Sequence, residues 1–447
     1  MSSIILLPRP TRFIKIKRVI AGFALTIAAS TTLSACGPAL PSGDGTVTIY
    51  GPYFGAEAEA FQAELDAFST SSGVRAIYSP IADMGGQVQT DISNSTLPDI
   101  AIWDNPRTLL TYQQQMIPLE QVVDLAAIRS TLVPGWDQVA KIDDKTFGLP
   151  TSSNIKTGVK SLVFYNPQEF DRLGYKIPTT DQELTSLIEK IKSDGSGYPW
   201  CAGIESGGAT GWVITDWIEN YLLSQKGAES YNQWTKGALK FDSPEVEMAA
   251  DKVSQQLLSP GNVAGGGKAM VRENFGNTAG LFTSGGKNSG QCFLIRQGLF
   301  ITDFFPEDIK GEISLGDYSR ANAFALPAAD GGKRAVVGDG YLASAFSQDS
   351  DVSKVLNFIL SDKFGTTMVK STNFLSPHKS FAVDQYQDRL RQVAAATLTN
   401  AEVFGFDAST VMPTAVSNQF WISATKWVDE SIVWTKVAQE IDASFNR

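Results

Sequence analysis

The chain has 447 residues with 43% hydrophobic composition, enough to bury substantial cores and long enough for two or more lobes. Its 37 Lys and Arg stand against 47 Asp and Glu, a formal net charge of −10. Nucleic acid and anionic lipid surfaces, which are held through Lys and Arg contacts to phosphate, are therefore not expected partners. A single histidine, His378, leaves almost no material for a His-Asp-Ser relay or a multi-histidine metal site, and neither a metal nor a cofactor is expected.

Residues 1–35 carry Arg9, Arg12, Lys15, Lys17 and Arg18 without an acid, then the apolar run VIAGFALTIAAS and small residues, the layout of an export signal. The run is shorter than the roughly 20 apolar residues of a membrane-spanning helix. Leu33-Ser34-Ala35-Cys36 looks like a bacterial lipobox, which makes Cys36 the expected lipidated N-terminus; an ordinary secretory signal with an incidental Cys36 is the alternative. Residues 36–45 then read as a flexible tether. Removing the five basic residues leaves 32 Lys and Arg against 47 acids, so the mature chain is near −15. With Cys36 lipidated, Cys201 and Cys292 remain as one pair in a disulfide-permissive compartment, and a Cys201–Cys292 bond is expected over two buried free thiols.

From residue 46 strand and helix signals alternate. TVTIY is a strand run, Phe61, Leu65 and Phe68 share a helical face that ends at Ser71-Ser72-Gly73, and VRAIYS and PDIAIW supply two more strands. This alternation predicts a mostly parallel sheet covered by helices, with ligands in the crevice beyond the carboxyl ends of its strands. Two loops belong at that edge: GPYFG with Tyr53 and Phe54, and WDNP with Trp103, Asp104 and Asn105. For Trp103, packing and ligand contact weigh equally. Further on, PWCAGIESGGATGWVITDW concentrates Trp200, Trp212 and Trp217 in one glycine-rich stretch, although the chain has nine Trp in all. Such a cluster is either awkward core or a platform for a ligand.

Searching for catalytic chemistry yields little. Neither a G-x-S-x-G elbow nor a phosphate loop is present, since none of the Gly-Lys pairs at 267-268, 286-287 and 332-333 is followed by Ser or Thr. Gly338-Asp339-Gly340 with Ala343 matches a dinucleotide fingerprint, but YLASAF reads as a strand where the fingerprint needs a helix. Near the C-terminus Trp427 and Trp434 are seven apart, on one face of a predicted helix with Val428 and Ile441, and read as core. Trp421 lies about 120° away around that axis and is free to face a cleft.

Taken in order, LPDIAIWD, GLPTSSNIKTGVKSLVFYNP, PWCAGIESGGATGW, CFLIRQGLFITDFFP, VVGDGYLASAF and FDASTVMPTAVSNQFW resemble a family 1 extracellular solute-binding protein of an ABC importer. The α-glucoside-binding members are the nearest likeness and maltose-binding protein a more distant one. The resemblance implies an α/β, two-lobed periplasmic-binding-protein-like fold with a hinge and an interlobe ligand cleft. Lobe 1 would comprise residues 46–158 and 327–378, and lobe 2 residues 159–326 and 379–447. It also implies a sugar held by aromatic stacking and carboxylates. Matching stretches put Trp103, Asp104, Lys160, Asp303, Phe304, Phe305, Asp339, Tyr341 and Trp421 in the ligand set. Trp212 and Asp216 join them from the second lobe, while Trp200 and Trp217 are expected to pack. Pro52-Tyr53-Phe54 replaces the acidic-basic pair that follows the first strand of the maltose binder, so Tyr53 and Phe54 are ligand candidates and maltose itself is not favoured. The implied function is capture of a neutral oligosaccharide, an α-glucoside, for delivery to ABC permease subunits. The receptor would be a monomer, lipid-anchored to the outer face of the bacterial cell membrane, with no bond changed. A secreted, lipid-anchored glycoside hydrolase, which also needs aromatics and carboxylates around a sugar, is the rival reading.

Overall fold

The computed structural model describes residues 45–283, 292–430 and 432–446; the residues read as an export signal, and Cys36, lie outside them. In β1 (Thr46–Gly51) Val47 and Ile49 alternate into the core, and the strand pairs in parallel with β2 (Arg75–Pro80) and β3 (Ile100–Trp103). The helix Ala56–Ser72 buries Phe61 and Leu65 and ends at Gly73, whose φ of 74° is the left-handed cap that glycine adopts without strain. A hairpin of β4 (Lys141–Ile142) and β5 (Lys145–Thr146) precedes β6 (Leu149–Asn154). The chain then crosses to a second sheet built from β7 (Leu162–Tyr165), β8 (Tyr198–Trp200), β9 (Cys292–Gln297) and β10 (Asn322–Ala325), in the order β10-β7-β9-β8. After β11 (Ala335–Gly338) it returns through β12 (Tyr341–Ala345) and β13 (Phe374–Leu375), completing a first sheet of order β13-β6-β12-β3-β1-β2. Finally β14 (Val403–Phe406) pairs in parallel with β11.

The expected parallel pairing holds for β2-β1-β3, but the pairs β3–β12, β12–β6 and β6–β13 are antiparallel, and in the second sheet only β8 and β9 pair in parallel. A parallel neighbour needs a long crossover beside its own sheet. β12 follows β11 across the two-residue link Asp339-Gly340 but pairs with β3 and β6, not with β11.

Buried apolar residues form two clusters, one around β1 to β3 and one around the helix Trp212–Thr235. The β11–β14 ribbon belongs to both. Ala335, Val337 and Val403 face the second cluster, whereas Val336, Phe404 and Phe406 face the first, as the two-residue period of a strand allows. A Cys201–Cys292 disulfide joins the residue after β8 to the start of β9, with Cα atoms 5.2 Å apart. The single helix expected around Trp427 and Trp434 is two, Thr414–Val428 and Trp434–Ser444. Their tryptophan rings meet at 5.1 Å across the turn rather than along one stripe. Among the described residues no helix is long and apolar enough to cross a membrane.

Candidate functional site

Beyond the carboxyl ends of β3, β6 and β11 a cleft of about 290 Å³ opens, lined by Asp104, Asn105, Asn154, Thr157, Asp339, Gly340, Tyr341 and Thr410. Asn105 caps the helix Pro106–Thr111 by accepting from the Arg107 and Thr108 amides, which fixes the turn that presents Asp104 to solvent. Asp339 comes from the β11–β12 link; its side chain is 31% exposed and accepts from the Thr410 hydroxyl at 3.3 Å. Tyr341 is half-buried, and burial, with Glu57, Asp104 and Asp339 nearby, pushes its phenol up to about 12, so it stays a neutral hydrogen-bonding group. Tyr53 lies behind it. Its ring meets that of Tyr341 edge-on at 4.9 Å, its N–H donates to Tyr78 Oη at 2.7 Å, and its own hydroxyl is 2.7 Å from Ser152 Oγ. Tyr53 is thus a support for Tyr341, and Phe54 is half exposed away from the cleft-lining set.

Trp103 settles as core. It is 1% exposed, its Nε1 donates to Ser344 Oγ at 2.8 Å, and its ring stacks on Tyr112 at 5.8 Å, because β3 is covered on both faces. Phe305 is likewise buried, against Phe164 and Phe282, and is removed from the ligand wall by that packing. Its neighbours differ: Phe304 is 47% exposed and Asp303 forms a surface ion pair with Lys156.

Lys160 and Asp216, both expected to touch ligand, are buried in a charged network. The Lys160 ammonium bonds Asp407 and lies 3.7 Å from Asp339 and 3.9 Å from Asp216. Burial works against its charge, but the three carboxylates outweigh it and hold its pKa well above the ordinary lysine value. Arg296, from β9, is 3.6 Å from the Asp216 carboxylate, donates to the Asp216 carbonyl at 2.9 Å, and lies over the Trp217 ring at 5.4 Å. Burial raises Asp216 in spite of Lys160. Asp407 is held low, its own burial being overcome by Lys160 and by bonds from Ser409. Asp216, Glu219 and Asp407 bring carboxylate oxygens within 4.8 Å of one another, but Lys160 and Arg296 already supply positive charge at that spot.

An aromatic wall stands on the second-lobe side. Trp212 opens its helix, half-buried, with its ring 5.2 Å from Phe275 and 5.8 Å from Phe300, and Phe304 packs on Phe275 at 5.2 Å. The N-cap, Gly211, has φ 110°, and a Cβ there would sit 2.3 Å from the Trp421 carbonyl oxygen, so glycine is what lets the Trp212 and Trp421 turns meet. Trp421 is half-buried, with an Nε1 that is inaccessible and has no hydrogen-bond partner among the described residues. The Phe300 amide donates to the Lys156 carbonyl at 3.2 Å, and Arg107 donates to the Met412 carbonyl at 3.1 Å and to Thr414 Oγ1 at 3.0 Å. Wall and cleft are held next to one another by these contacts. Trp200 and Trp217 are core, edge-to-face at 5.0 Å, as expected. Trp434 is core too, but Trp427 is only half-buried and lines a separate surface depression with Ser254 and Gln255. His378 is 1% exposed, its Nδ1 2.7 Å from Thr131 Oγ1, and takes no part in the site.

Sequence reasoning placed Asn105 at this edge but missed Asn154, Thr157 and Thr410 on the cleft, Phe275 and Phe300 on the wall, and Asp407, Glu219 and Arg296 in the network. Asp407 stands in the FDAST stretch already singled out, and the signal was an acid ending a buried strand.

The profile of the family described as bacterial extracellular solute-binding protein matches residues 54–365. The osmoprotective compounds-binding protein GgtB of Synechocystis sp. is 29% identical over 90% of this chain and 92% of its own length. The alpha-glucosides-binding periplasmic protein AglE of Rhizobium meliloti is 31% identical over 86% of this chain and 83% of its own. Among solved structures, the bacterial solute receptor AcbH, described as preferring galactopyranose, matches with a TM-score of 0.70 at 17% identity, over 90% of this chain and 98% of that one. The sugar-binding protein MalE of Xanthomonas citri matches with a TM-score of 0.61 at 16% identity, over 89% of this chain and 95% of that one. Both likenesses show the two-lobed α/β fold.

Proposed function

This chain belongs to the bacterial extracellular solute-binding protein family, and we propose that it captures a neutral oligosaccharide, an α-glucoside, between its lobes and hands it to an ABC permease. The observation that carries the reading is the cleft itself. Asp104, Asp339 and Tyr341 converge as hydrogen-bonding groups beside the Trp212–Phe275–Phe300 wall, the pairing of polar edge and aromatic face that a sugar ring requires. Similarity to an alpha-glucosides-binding protein over most of both chains supports the sugar class. In this reading the lobes close on the ligand without changing a bond, and the closed form is the one the permease accepts. Cys36 carries the lipid that holds the receptor at the outer face of the membrane, and the receptor acts as a monomer. Trp212 and Trp421 are its aromatic anchors. The hydrolase reading gains no support from the family.

A thermal-shift panel of α- and β-linked disaccharides tests this. A true ligand at 100 times its dissociation constant adds about 2.7 kcal/mol of apparent stability. Recovery of that sugar intact after incubation is expected; cleaved sugar, or no shift with any α-glucoside, would defeat the proposal.

A further inference from the structure

Four buried or part-buried carboxylates, Asp216, Glu219, Asp339 and Asp407, face two cations, Lys160 and Arg296, so full ionisation would leave two uncompensated charges in this network. The hydrogen bonds say where a proton resides. Tyr231 Oη lies 2.7 Å from the Phe406 carbonyl oxygen and 3.0 Å from Glu219 Oε2. A phenol has one proton to give, and a carbonyl can only accept, so the shorter contact takes the tyrosine's proton. The second contact then joins two oxygens with no proton between them unless Glu219 supplies it.

We propose that Glu219 is a neutral carboxylic acid in the native protein, donating to Tyr231, and that it is a positioning residue that fixes the segment Phe406–Ala408 and through it the cleft carboxylate of Asp339. The segment is gripped at both ends: Phe406 by Tyr231, and Ala408 by its N–H to Glu219 Oε2 at 2.9 Å. Between them Asp407 donates its N–H to the Gly338 carbonyl at 3.0 Å and holds the Lys160 ammonium, which in turn faces Asp339. The groups around Glu219 are Asp216 and Asn220 on its own helix, Tyr231 beyond the bend of that helix at Gly227, Arg296 on β9, Lys160 before β7, and Asp407 after β14. Burial, together with Asp407 and Asp216, raises the Glu219 pKa well above the ordinary glutamate value, in agreement with the hydrogen-bond count. The step to Asp339 rests on the sugar-receptor reading, whereas the proton on Glu219 does not.

Glu219→Gln keeps a donor toward Tyr231 and removes the titration, though the same position then no longer accepts from the Ala408 N–H. Above about pH 4.5 the unfolded wild type releases a proton that the folded form retains, so its folding equilibrium should fall behind that of Glu219→Gln tenfold per pH unit until Glu219 itself ionises. Denaturant melts of both proteins from pH 5 to 8 read this, and a constant ratio across that range overturns the proposal. Should the Gln variant not fold, infrared spectra of wild-type protein carrying carbon-13 glutamate decide the protonation. A protonated, isotope-shifted glutamate band at pH 8 is expected, its absence overturns the claim, and unlabelled Asp216 cannot imitate it. For positioning, Glu219→Ala should speed hydrogen exchange of the Asp407 amide at least tenfold, while Glu219→Gln, which keeps the bond to Tyr231, leaves that amide slow. Unchanged exchange in the Ala variant overturns that role. None of these readouts involves a sugar, so failure of the receptor reading would show separately in the disaccharide panel.

Discussion

Single residues separate binding from packing in this molecule. A micromolar sugar complex is worth about 8 kcal/mol, and an aromatic anchor contributes about 2 or more, so Trp212→Ala and Trp421→Ala should each weaken binding at least roughly thirtyfold by calorimetric titration. Both rings are half-buried, so melts of these variants should move less than that of Trp434→Ala, where a buried ring is lost and about 3 to 5 kcal/mol of stability should go with it. Sugar affinity unchanged in both cleft variants would remove the aromatic anchors from the site. His378 makes a different prediction. Burial holds its imidazole down at about 4, below the ordinary value of 6.5. A base with a lowered folded pKa gives stability that is complete above the unfolded value and lost as pH falls toward the folded one. Between pH 6.5 and 4 the protein should therefore lose on the order of 3 kcal/mol through this residue, and His378→Gln should flatten that part of the stability profile. The Trp and His roles were only half legible in sequence, because a tryptophan's neighbours, not its type, decide which of its faces is covered.

At the scale of elements, close approaches set what can move. Gly211 combines φ 110° with a backbone contact to Trp421 that leaves no room for a Cβ, so Gly211→Ala should cost about 1 to 3 kcal/mol and displace one turn from the other. Reduced sugar affinity together with a lower melting temperature is the expected pair of results, and a variant as stable as wild type would contradict the packing. The disulfide closes a loop of 91 residues between β8 and β9. In the chain-entropy account its removal in Cys201→Ser/Cys292→Ser should cost up to about 4 to 5 kcal/mol, read by denaturant unfolding. Strand and helix runs in the first lobe were legible from periodicity alone, TVTIY and PDIAIW among them. The direction of β12 was not, since a strand's own pattern is the same whichever way its neighbour runs.

For the whole molecule, export and anchoring are read from residues that precede the described fold. Cys36→Ser should release the protein from membranes in fractionated cells; a membrane-bound variant would place the anchor in the apolar run instead. The ordered motifs were enough by themselves to read an α/β member of the extracellular solute-binding family, because the family's stretches keep their residue types and order along the chain. The cysteine pair and the acidic loops after β3 and β11 were likewise visible, each being a local feature of the chain. Only the tertiary structure showed that Lys160 and Asp216 are buried in a charged network with Glu219 and Asp407, and that Trp103 and Phe305 pack in the core. Those assignments depend on residues far apart in the chain meeting, such as Ser161 with Asn220, 59 positions on, and Lys160 with Asp407, 247 positions on, and no local pattern records such a meeting.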